Sequence, residues 1–332
     1  MNSFEYAHPE TETEALEFLN EYPEETMILA GGTDALNLIK QEIVQPRRVV
    51  DLKRIQSLQG FTREREGLLL GATLTLAEIQ EDYAFQQYPA LLQVIENIHS
   101  LASRSMGTVA GDLCHLPNCW YFRTGYGLLA WRNGESLPEQ GRNQYHAILG
   151  NTGPAKYVCA SRLAPALIAV GASVRVVGPT PIEEKWVPLE KFYRIPKTDL
   201  QGTTILNPGQ FVTHIRLPNV DETMTFASYE VLPSEGLDWP TATASVSLKW
   251  EEDIVQDARI VLGHVAPLPW ISMSAARLLI GQRLTEELVA EVAETALTEA
   301  VPLSENRYKI SQAKAAIKRA LLSAIPVSFD IT

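Results

Sequence analysis

Cysteine is scarce in this sequence, with three in 332 residues: Cys114, Cys119 and Cys159. That is too few for a disulfide framework in a chain of this size. Basic residues are in deficit as well. Against 28 Lys and Arg stand 40 Asp and Glu, a formal net charge of −12. The resulting pI near 5.1 argues against a nucleic-acid partner, because neutralising phosphates requires a basic surface. No apolar run approaches the roughly 18 residues of a membrane span. The opening stretch, MNSFEYAHPETETEALEF, lacks the basic-then-apolar order of a secretory signal. Internal repeats and low-complexity tracts are also missing. The expected class is a soluble, acidic, cytoplasmic globular protein.

What is present is a length that suggests two domains, by the prior of roughly 100–200 residues each, and unevenly placed glycines. Glycines 31, 32, 71, 107 and 111 each sit at the edge of an apolar stretch. Residues 11–20 read as a helix opened by the capping-box spacing of Thr11 and Glu14. Residues 27–30 read as a short buried strand running into Gly31-Gly32, followed by a helix over 35–43 and a strand over 48–52. A strand over 68–70 runs into Gly71-Ala72, and helices are expected over 75–81 and 90–102. Residues 114–157 are rich in Asn, Gly, Arg and aromatics, with little periodicity, and read as a long irregular insertion. Regular structure resumes with a helix over 163–170, a strand over 173–177 and another over 211–217. Beyond about residue 220 come two adjacent strands, 244–250 and 258–265. Helices over 272–281, 285–300 and 309–324 follow, the order of a separate α+β domain.

The segment Ile28-Leu29-Ala30-Gly31-Gly32-Thr33-Asp34 is a strand, a glycine turn and a helix start. Glycines there let backbone N–H groups approach an anion, and Thr33 or Asp34 can cap the helix. Alone, the segment reads first as an ordinary tight strand-to-helix turn. It has neither the spacing of a dinucleotide fingerprint nor that of a P-loop. Met106-Gly107-Thr108-Val109-Ala110-Gly111-Asp112 has the same texture. Two such loops, about 75 residues apart, could embrace one diphosphate from both sides.

Together with Gly71-Ala72-Thr73, these loops and the stretches 118–123 (NCWYFR), 142–150 (RNQYHAILG), 163–167 (LAPAL), 259–267 (RIVLGHVAP) and 302–310 (PLSENRYKI) carry a resemblance. The sequence resembles, over nearly its whole length, the flavin-binding medium subunit of the molybdenum hydroxylases: xanthine dehydrogenase, carbon monoxide dehydrogenase and 4-hydroxybenzoyl-CoA reductase. The resemblance implies an α+β fold. Residues 1–218 would form a two-lobed FAD-binding domain of the vanillyl-alcohol-oxidase type, and 219–332 a small α+β domain with an antiparallel sheet. It implies FAD contacts from Leu29, Ala30, Gly31, Gly32, Thr33, Asp34 and Ala35, from Gly107, Thr108, Ala110, Gly111 and Asp112, and from Val212 and Glu230. Electrons would pass between FAD and iron–sulfur clusters of a partner, as in an oxidoreductase subunit. A small [2Fe–2S] subunit and a large molybdopterin subunit would complete a dimer of heterotrimers. Substrate chemistry would occur on the large subunit, so no catalytic residue is expected here.

The sequence departs from the family pattern in three places. The branch it most resembles binds a [4Fe–4S] cluster through four cysteines of the insertion, and only Cys119 matches a ligand position. Three cysteines cannot ligate a cubane in the ordinary way, so no cluster and no metal ligand is expected. Cys114, His115, Cys119, His146 and Cys159 also lack a recognised zinc spacing and read as buried thiols and core histidines. In the second loop, Ala110 and Asp112 replace glycine and asparagine, and a carboxylate there repels a diphosphate unless turned away or paired. Glu230 stands where many relatives carry a lysine facing the flavin, and would disfavour the reduced, anionic ring. These changes leave an alternative open, a flavin-free scaffold subunit of the same kind of complex. A stand-alone flavin oxidase has no substrate-binding constellation to support it. Among single residues, Arg104 and Arg123 flank the second loop. Trp120, Tyr121, Phe122 and Trp239, which follows Asp238, are possible flavin neighbours, and His264 reads as a core histidine.

Overall fold

A computed structural model describes residues 2–234 and 239–326. Asp238 therefore lies outside the described residues. The first lobe is a three-stranded parallel sheet in the order Glu5–Ala7, Arg48–Asp51, Thr26–Leu29. Helix Glu12–Glu21 leads into it, with the Thr11 hydroxyl accepting the Glu14 N–H at 3.1 Å. Arg48, buried in the middle strand, is held by Glu5 and Glu21 at 2.6 and 2.7 Å.

The second lobe is a five-stranded antiparallel sheet. Its order is Phe61–Glu64, Gly67–Gly71, Phe211–Pro218, Ser173–Val177, Glu184–Pro188. Of these, the sequence reading anticipated three. The two edge strands are half-exposed and carry charge, so they show little hydrophobic signal. The helix expected over 90–102 is two helices, Pro89–Glu96 and Leu101–Met106. Ser100 breaks the run by capping the second one, its hydroxyl accepting the Ser103 N–H at 3.2 Å. The insertion also has some regular structure: helices Trp120–Arg123 and Leu137–Gln140, with a hairpin between Trp131–Arg132 and Glu135–Ser136.

A four-stranded antiparallel sheet follows, Met224–Val231, Ala242–Glu251, Ile254–Gly263 and Trp270–Ile271 in sequential order. Helices Met273–Leu279, Glu286–Thr295 and Tyr308–Ser323 accompany it. Helix Leu163–Val170 packs against both this sheet and the second lobe, and every one of its residues is buried. That double burial explains why its sequence, LAPALIAV, shows no polar face. Pro165 is tolerated because in the first turn its missing N–H would have no partner anyway.

The end of the insertion is bound to this last part of the chain by polar groups. The Asn306 amide donates to the carbonyls of His146 and Ala147, at 3.1 and 3.2 Å. The ammonium of Lys309, fully buried, donates to the carbonyls of Tyr145, His146 and His264 at 3.2, 3.1 and 2.6 Å. Burial lowers the Lys309 pKa to about 7. Burial, and next the neighbouring cations, hold His146 down to about 4 and His264 to about 3. Both rings are thus neutral in the fold, whereas in the unfolded chain they titrate near 6.5. As pH falls from about 6.5 towards 4 these two rings bind protons in the unfolded chain and not in the fold, so their contribution lowers folding stability. Urea midpoints measured between pH 7 and pH 4.5 should show this decline. His264→Asn, which tolerates the left-handed backbone at φ 60°, should flatten it. An unchanged slope would contradict the assignment.

Candidate functional site

The strand Thr26–Leu29 delivers the chain to Gly31 and Gly32, and helix Ala35–Lys40 leaves from them. Gly32 has φ of 72°, a left-handed conformation open mainly to glycine. Gly31 is required for a different reason. A Cβ built on it would lie 1.8 Å from the carbonyl oxygen of Met106 and 3.1 Å from the Cα of Gly107. The two glycine loops therefore touch backbone to backbone. The second loop is fixed from its other side, where the Leu76 N–H donates to Gly107 O at 3.0 Å and the Val109 N–H to Leu74 O at 2.9 Å. Thr108 then caps the short helix Val109–Leu113, its hydroxyl accepting the Gly111 N–H at 3.2 Å. Among the described residues, the N–H groups of Gly31, Gly32, Thr33, Asp34 and Thr108 meet no protein acceptor.

These loops form one wall of a cavity of about 810 Å³, towards the upper end of the roughly 300–1,000 Å³ usual for small-molecule sites. Ala30, Gly31, Gly32, Thr33, Asp34 and Ala35 line it, as do Gly107, Thr108, Ala110, Gly111, Asp112 and Val212. Two of the expected contact residues do not. Leu29 turns its side chain into the small core with Ile39 and Val49, and Glu230 is held behind the wall. His115, Arg123, Arg162 and Trp239 are also in the lining. The His115 ring meets Trp239 edge to face at 4.9 Å, and Trp239 lies 6.2 Å from His264.

Three carboxylates near this cavity are each engaged by the protein. Asp34 makes no cap to its helix; it accepts a two-pronged contact from Arg123 at 2.6 and 3.1 Å. That pair ties the first loop to the insertion. Asp112 accepts from the Ser161 hydroxyl at 2.5 Å and from the Leu163 N–H at 3.0 Å, holding the start of helix Leu163–Val170. Burial raises its pKa while those donors oppose the rise. Repulsion of a diphosphate by Asp112, as the sequence suggested, is thereby relieved. Glu230 pairs with Arg162 and does not face the cavity as an open anion.

A family described as "FAD binding domain in molybdopterin dehydrogenase" matches residues 2–220, and "CO dehydrogenase flavoprotein C-terminal domain" matches residues 227–324. The chain belongs to the FAD-binding subunits of the molybdopterin dehydrogenases. It is 27% identical to the carbon monoxide dehydrogenase medium chain of Hydrogenophaga pseudoflava, covering 97% of this chain and 96% of that one. Identity to the aldehyde oxidoreductase FAD-binding subunit of Escherichia coli is 25%, over 98% and 99% of the two chains. A solved carbon monoxide dehydrogenase from Hydrogenophaga pseudoflava shares the fold, with a TM-score of 0.78 at 24% identity over 97% of each chain.

Within this FAD-binding subunit the thiols lie in two settings. Cys119 Sγ is 3.3 Å from His146 Nε2. Cys114 and Cys159 belong to the core of the second lobe, where burial pushes each thiol to about 12. Among the described residues no three His, Cys, Asp or Glu side chains are grouped as metal ligands. Arg104 reaches Gln80 at 3.0 Å and does not line the cavity. Trp120 stacks with Tyr145 and Arg142 on the insertion, away from the lining. Arg162 escaped the sequence reading, although a cation abutting the wholly apolar run 163–170 was a signal of an engaged charge.

The close approach at residue 31 has a direct consequence. Gly31→Ala should push the two loops apart, lowering both thermal stability and ligand binding at the cavity. Ala at the open position Gly60, which itself has a positive φ of 61° but no atom within 4 Å, should affect stability alone. Equal ligand binding by Gly31→Ala and the unmodified chain would contradict the loop contact.

Proposed function

We propose that this chain binds FAD in the two-loop cavity and acts as the electron-transfer subunit of a heteromeric molybdopterin enzyme. The single observation that carries the reading is the backbone contact of Gly31 with Met106 and Gly107, which brings the free N–H groups of residues 31–34 and that of Thr108 to one cavity. The residues present fit FAD. Glycine cradles a Cβ would fill, unpaired backbone donors and engaged carboxylates suit a diphosphate. Trp239 and His115 offer aromatic surface for a planar ring.

Bound there, FAD would supply reversible uptake and release of electrons between a partner's redox centre and an outside donor or acceptor. The chain's own residues bind and orient. The N–H groups of residues 31–34 and of Thr108 hold the diphosphate. Arg123 keeps Asp34 from facing it, and the Ser161 hydroxyl with the N–H groups of Arg162 and Leu163 does the same for Asp112. Val212 and the rings of His115 and Trp239 limit water at the remaining wall. The partners, by family analogy, are a small [2Fe–2S] subunit and a large molybdopterin subunit that carries the substrate. Relatives from carbon monoxide dehydrogenase and from the glyceraldehyde dehydrogenase of Sulfolobus acidocaldarius are named as medium chains, which implies further chains beside them. Of Ala110, Asp112 and Glu230, which suggested a flavin-free scaffold, the two carboxylates are engaged by protein groups, and Ala110 lines the cavity with its N–H bonded to Ala72.

Calorimetric titration of the full-length chain with FAD tests the reading. Binding with Kd in the micromolar range or tighter is expected, and a folded chain that ignores FAD would overturn it.

A further inference from the structure

Arg162 lines the cavity; its backbone N–H donates to Asp112 of the second loop at 3.3 Å, and its side chain takes no part in the two-loop cradle. It stands immediately before helix Leu163–Val170, so its backbone is anchored in the core, and the residue is only 7% exposed. A cation so buried must be paired to be tolerated. Its Nε donates to Glu230 Oε1 at 3.1 Å, and its Nη2 donates both to Glu230 Oε2 and to the Asn97 carbonyl, the latter at 3.3 Å. Nη1 donates to no protein group among the described residues. One edge of the guanidinium is thus fixed in a fork by Glu230, and a further donor is left on a residue of the cavity wall.

Glu230 comes from the strand Met224–Val231, at the edge of the third sheet, and is 6% exposed without lining the cavity. The pair is neutral in sum but unequal in placement, because the cation borders the cavity and the anion does not. The diphosphate already has the N–H groups of two loops. Arg162 and Trp239 both line the cavity and share His264 as a neighbour, the Trp239 ring at 6.2 Å and the Arg162 charge acting on the His264 ring.

We propose that Arg162 donates to the ring end of bound FAD and stabilises the reduced form, with Glu230 as the positioning residue that holds its guanidinium. The proposal rests on the FAD reading above. Reduction of the oxidised ring by two electrons, with uptake of one proton, adds one net negative charge. A charge-assisted donor from a buried guanidinium at that point favours the added charge.

The test uses the full-length chain loaded with FAD and titrated with dithionite against redox dyes, with FAD affinity and circular dichroism measured alongside. The double variant Arg162→Gln/Glu230→Gln removes both charges and keeps a hydrogen-bonded pair. It should retain oxidised FAD and shift the midpoint potential to more negative values. Reduced FAD should be held roughly tenfold or more less tightly relative to oxidised FAD, the weight of one charge-assisted hydrogen bond. Glu230→Gln alone leaves the guanidinium uncompensated and should shift the potential the other way. Opposite signs would not arise from a merely structural pair. Unchanged potentials in both variants would overturn the proposal. So would a loss of oxidised-FAD affinity with no change in potential, which would place Arg162 on the diphosphate. If the double variant fails to fold, Glu230→Gln decides: a positive shift supports the proposal and no shift overturns it. An unmodified chain that binds no FAD would instead fail the underlying reading, and the proposal with it.

Discussion

The carbonyl of Met106 occupies the space that a Cβ on residue 31 would need, and the geometry of the cavity follows from that contact. Close-packed backbone leaves no room for adjustment by side-chain rotation. The first loop must therefore follow the second, and the second is fixed in turn by the hydrogen bonds from Leu76 and to Leu74. Three segments far apart in the chain converge in this way on one set of free N–H groups. The parallel sheet of the first lobe and the antiparallel sheet of the second matter to the site mainly because they bring these segments together.

Charge around the cavity is arranged so that donors face it and carboxylates are occupied elsewhere. Arg123 engages Asp34, Ser161 and the Leu163 N–H engage Asp112, and Arg162 engages Glu230. Each pairing also ties structure together: insertion to first loop, second loop to the buried helix, buried helix to the last sheet. In an acidic chain with net charge −12, such engagement keeps a cavity suited to an anion from being lined by open carboxylates.

Much of this was legible in the sequence. The glycine pairs marked both loops because close backbone approach leaves few alternatives to glycine, and the apolar run 163–170 marked the central helix because it is buried on every side. What was not legible depended on side-chain direction across long separations. Asp112 and Glu230 read as anions beside a phosphate and a flavin; only the fold shows that partners 49 and 68 residues away in sequence take them. Asp34 read as a helix cap, since a local hydrogen bond is the expectation for that residue type. Arg123, 89 residues on, outcompetes that bond. The half-exposed edge strands were missed because their burial pattern has no clean alternation.

The claim that two distant loops form one diphosphate site is tested most directly by hydrogen exchange of the full-length chain with and without FAD. Amides of residues 31–34 and of Thr108 should gain protection together, on the same titration curve. Protection confined to one loop, or spread over neither, would contradict it.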